Sequence, residues 1–154
     1  MIRVAGHKVG VDYRGRDAFA PYLTVSVEVG GCVLRLEAII DSGADATLIP
    51  IEVLKGCPVD WDALKLAGPA GGAGGAFETR FLTAEVKYRE WLIAREVRIA
   101  GPGSKLKVML LGRQDFFRHF TVNFRWDVAP PFVELEPVPV IAPVQNLAVR
   151  PKKK

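Results

Sequence analysis

The chain has 154 residues, 49% hydrophobic and 25% charged, which suits one domain with a substantial core. It has no apolar run of about 18 residues or more, so no membrane span is expected. The opening "MIRVAGHKVGVDYRGRD" lacks the apolar stretch of a secretory leader, which makes the cytoplasm the expected compartment. The net charge of +4 resides at the end of the chain: Arg150, Lys152, Lys153 and Lys154 are four of the 21 basic residues, and the remaining 17 face 17 acidic ones. A body so balanced argues against a nucleic-acid-binding domain, which carries a basic face.

Residues 1–19 are expected to be an N-terminal arm. In "PYLTVSVEVGGCVLRLEAII", Leu23, Val25, Val27 and Val29 alternate with polar residues, the signal of a half-buried strand. Gly30-Gly31 predicts a hairpin turn. Val33, Leu34, Leu36 and the run Ala38-Ile39-Ile40 then resume the apolar face, and this second strand ends on Asp41. A short helical turn is expected near Ile51 to Leu54. "GPAGGAGG", residues 68–75, is too rich in glycine for regular structure and predicts a mobile loop or a hairpin tip. "FETRFLTAEVKY" and "EWLIAREVRIA" are strand-like, with a turn between them. "LKVMLLGRQDFFRHF" reads as an apolar strand, a Gly-Arg turn and a short helix, and "TVNFRW" and "FVELEP" as further strands. Seven or more short strands with glycine-rich turns predict an all-β barrel or sandwich. Pro137, Pro139, Pro143 and Pro151 mark residues 137–154 as an extended, basic tail.

Cys32 and Cys57 are the only cysteines, and without a secretion signal they are expected to be free thiols. His7 and His119 are far apart and no Cys-x-x-Cys spacing exists, so neither a metal nor a cofactor is expected. The glycine run is no phosphate cradle: no Lys-Ser pair follows at the required spacing, and Phe77 stands where a dinucleotide loop needs its last glycine.

"AIIDSGADATLIP", residues 38–50, is the stretch that carries chemistry. Asp-Ser-Gly alone is an ordinary turn sequence. A plain turn, however, calls for neither Ile39-Ile40 before it nor Leu48-Ile49 after it, and an acid at the mouth of buried strands is costly unless it has work there. This segment resembles the active-site motif of the retroviral-type aspartic proteases, the retropepsins. "VMLLGRQDFFRHF", residues 108–120, resembles their second signature, and the resemblance covers residues 20–136 in the family's order.

The resemblance implies a retropepsin-like closed β-barrel with one short C-terminal helix and a glycine-rich flap, active as a symmetric homodimer. Peptide hydrolysis of this kind uses two aspartates that share one proton. The chain has one such motif, so Asp41 of a second copy would complete the pair. Ser42 would fix the paired loops, and Gly43 would let the substrate backbone approach. Ala44, Asp45, Gly71, Gly72, Ala73 and Gly74 would contact an extended peptide substrate. Gly112 would pack behind Asp41, and Arg113 would pair with Asp45. Terminal strands would interleave between subunits, with "FVELEP" a candidate. The competing readings are a catalytically silent dimerisation and peptide-binding module, and a nucleic-acid partner acting through the tail.

Overall fold

The expected N-terminal arm contains strands. Ile2–Ala5 (β1), His7–Val11 (β2) and Asp17–Ala20 (β3) precede Tyr22–Val29 (β4) in the structure, a computed structural model that describes residues 1–72 and 75–139. The expected Gly30-Gly31 turn is present, with φ of 53° and 82°, the left-handed region that glycine enters freely. It joins β4 to Cys32–Ile40 (β5), and Asp41 follows directly. Leu48–Pro50 (β6) leads into a 3-10 turn at Ile51–Leu54, as expected. Lys65–Gly72 (β7), Gly75–Tyr88 (β8) and Trp91–Ala100 (β9) form consecutive antiparallel pairs. Met109–Leu111 (β10), a helical turn at Phe116–His119 (α1), Phe120–Arg125 (β11) and Phe132–Pro137 (β12) complete the described chain.

The strands make one large sheet and two small ones. The seven-stranded sheet has the order β4-β5-β10-β6-β9-β8-β7, and β8 pairs a second time, with β4. β12 lies between β1 and β11 in a three-stranded sheet, and β2 pairs with β3. Both edges of β12, the "FVELEP" strand, are therefore occupied within the chain. The apolar alternation of β4 does what the sequence predicted: Val25, Val27 and Val29 are buried, with Leu23 beside them. They pack with Ile49, Ile99, Met109 and Leu111, each full burial worth roughly 1.5–3 kcal/mol. Beyond them Phe116 and Phe120 meet Tyr88 with ring centroids 6.2 and 5.9 Å away, edge to face.

Two expectations are corrected. Cys32 and Cys57 are not free thiols; they form a disulfide with Cα atoms 5.6 Å apart. The hairpin turn returns the chain at Cys32 beside the segment that follows the 3-10 turn, a proximity that 25 residues of separation hide in the sequence. The glycine run also holds regular structure. β7 reaches Gly72 and β8 begins at Gly75, with Gly71 opposite Ala76. Ladder bonds need only the backbone, and Gly68 and Gly75 absorb positive φ of 99° and 95°. Of the two expected forms this is the hairpin; Ala73 and Gly74 lie outside the described residues, as does the basic end from residue 140 onward.

Candidate active site

β10 places the site. It runs parallel to β5, with Leu111 beside Ile40, and antiparallel to β6, with Leu110 beside Leu48. Asp41 therefore leaves β5 where the Asp41 N–H donates to the Leu111 carbonyl, 3.1 Å away. The turn then closes on itself. Gly43 N–H donates to Asp41 Oδ1 at 2.8 Å, and Ala44 N–H to the Asp41 carbonyl at 3.2 Å. A Cβ at Gly43 would stand 3.2 Å from that same Oδ1 and crowd the carboxylate. Asp41 is half-buried, Ser42 is exposed, and the Ser42 hydroxyl has no hydrogen-bond partner among the described residues.

The segment after β10 clasps the turn from behind. Arg113 N–H donates to the Ala44 carbonyl at 2.9 Å, and Gln114 N–H to that of Asp45 at 2.7 Å. The Arg113 guanidinium also pairs with the Asp45 carboxylate, both exposed. Such a surface pair adds little stability, so the backbone bonds do most of the holding. Gly112 packs against the Ala46 backbone.

Two supports were not foreseen from sequence. Thr47 is fully buried and its hydroxyl accepts from Gly112 N–H at 3.3 Å. Thr47 N–H in turn donates to Asp115 Oδ2 at 2.7 Å. The signal was the polar Thr47 set directly before the apolar Leu48-Ile49-Pro50, where only a satisfied hydroxyl is tolerated.

Asp41, Gly43, Ala44 and Asp45 open onto a cleft of about 630 Å³. The β7–β8 hairpin contributes Pro69, Ala70, Gly71, Gly75 and Phe77 to its lining, and the sheet contributes Leu48, Leu110 and Arg98. Of the expected site residues, the structure thus brings Asp41, Gly43, Ala44, Asp45 and Gly71 to one cleft. Gly112 and Arg113 stand behind it, Gly72 ends β7, and Ala73 and Gly74 are not among the described residues. No cluster of three or more metal-binding side chains occurs among the described residues.

A β-rich domain that sets an Asp-Ser-Gly turn on the floor of a peptide-sized cleft, under a hairpin, has the build of the aspartic proteases. The pattern of the retroviral aspartyl protease family matches residues 18–124, more than half of the chain, and the chain belongs to that family. Two solved structures share the fold. The EIAV protease in complex with an inhibitor is 21% identical, with a TM-score of 0.50, covering 62% of this chain and 83% of its own. A retropepsin-like aspartic protease from Rickettsia conorii is 17% identical, with a TM-score of 0.53, covering 86% and 97%. No curated protein sequence matches the chain.

Proposed function

We propose that the protein is an aspartic endopeptidase, working as a symmetric homodimer in which Asp41 of each subunit meets at the two-fold axis. One observation carries the reading: the single Asp-Ser-Gly carboxylate of the chain stands on the cleft floor, oriented by the Gly43 N–H. In this pair one carboxylate takes a proton from water as its oxygen attacks the peptide carbonyl carbon. The other, protonated, gives its proton to the carbonyl oxygen. The protease unit spans residues 20–136, and the pairing of β8 with β4 supports a closed barrel. The β7–β8 hairpin serves as the flap, closing over an extended peptide and excluding water. Ser42 steadies the paired turns across the axis, and Asp45, held by Arg113, binds the substrate backbone.

The test is Asp41→Asn, which keeps the shape and removes the proton acceptor. Peptide cleavage should fall by several orders of magnitude while circular dichroism and dimer size stay as in the wild type. Undiminished cleavage by the variant would remove Asp41 from the chemistry. A wild type that binds peptides and cleaves none would instead make this a silent binding module.

A further inference from the structure

We infer that Arg98 makes the cleft selective for an acidic side chain in the substrate; this rests on the peptide-cleft reading above and names the substrate class. The register sets Arg98 on the cleft face. Leu110 is opposite Leu48, and Leu48 is opposite Arg98, so the three side chains form one row across β10, β6 and β9. The neighbours Val97 and Ile99, pointing the other way, are 2% and 0% exposed and belong to the core. Two leucines would give an apolar wall. The third position of the row is a partly buried arginine instead.

That charge has no carboxylate partner among the described residues; its guanidinium lies 5.8 Å from the Phe81 ring centroid. Of the two acids that line the cleft, Asp45 is already paired with Arg113. Lys105 adds a second cation at the lip, also unpaired among the described residues. A guanidinium without a carboxylate partner gains most from a carboxylate that accepts two parallel N–H bonds. A substrate glutamate or aspartate reaching this wall would supply one. An arginine or lysine there would meet like charge, so the same residue both selects and rejects.

The test uses the full chain and peptides acetylated at one end and amidated at the other, so that a side chain carries the only carboxylate. Peptides differing only by Glu, Gln or Lys at one position are compared for binding and for cleavage, position by position. The Glu peptide should lead the Gln peptide at one position by about tenfold, the worth of one charge-assisted hydrogen bond. Arg98→Gln should erase that lead and Arg98→Lys should keep only part of it, the charge without the two parallel N–H bonds. Arg98→Glu should hand it to the Lys peptide, a reversal that a misfolded cleft does not produce. Acid-selective binding without cleavage would sink the endopeptidase reading and leave the role of Arg98 standing. No acid lead in the wild type, or a lead that survives Arg98→Gln, would overturn the inference.

Discussion

A Cβ at position 112 would lie 2.3 Å from the carbonyl carbon of Ala46 and 2.4 Å from its oxygen, inside any permitted contact with backbone. The clash cannot be relieved by a side-chain rotation, because what it meets is the backbone of Ala46, in the segment that follows the Asp41 turn. Gly112→Ala should therefore destabilise the fold by roughly 1–3 kcal/mol, as overpacking does, and should lower peptide cleavage by more than the loss of folded protein explains. Urea unfolding together with turnover per folded molecule checks both. The resemblance already marked Gly112 as a close-packing position, and it marked Asp41, Gly43 and the Asp45–Arg113 pair. It was silent on Thr47, Asp115 and Arg98. Their roles depend on which strand lies beside which, and a local pattern of polar and apolar residues does not carry that information.

At the scale of the element, β4 was readable because its alternation is strict, whereas β5 was readable only in part. The Gly30-Gly31 turn pairs Val29 with Cys32, so the inward parity passes from Val29 to Cys32, Leu34, Leu36, Ala38 and Ile40. Val33, expected on the apolar face, is consequently turned out and 59% exposed. β1 escaped the sequence reading because its partner, β12, is about 130 residues away and nothing local announces the pairing. The disulfide shares that origin. It closes a loop that contains β5, the Asp41 turn, β6 and the 3-10 turn, so it restrains the very segment that presents the carboxylate. Replacing both cysteines by serine should cost about 3 kcal/mol of stability through the freed unfolded chain. The wild type treated with a dithiol reductant should lose stability to match, and the double variant should not respond. Equal urea midpoints for oxidised wild type and variant would show that the bond adds nothing.

At the scale of the whole molecule, the proposed mechanism requires the one Asp-Ser-Gly aspartate of each chain to meet its copy. Both edges of β12 are filled within the chain, by β1 on one side and β11 on the other. Among the described residues, the sheet that holds β12 can therefore be extended only at the outer edges of β1 and β11, unless β1 exchanges between subunits. In the proposed homodimer either route brings equal copies together, and activity is expected to be a property of the pair. Specific activity should fall on dilution below the dimer dissociation constant, in step with the dimer fraction seen by sedimentation. Mixing gives a sharper version. If Asp41→Asn chains exchange freely with wild-type chains, an equal mixture contains mixed dimers carrying a single competent carboxylate, and activity per wild-type chain should drop to about half. A large excess of the variant should silence the wild type almost completely, although no wild-type molecule has been altered. A monomer with full activity at every dilution, indifferent to excess Asp41→Asn, would show that the second proton-transfer group comes from within the chain. The search for it would then turn to the other acid of the cleft, Asp45, and away from a two-fold axis.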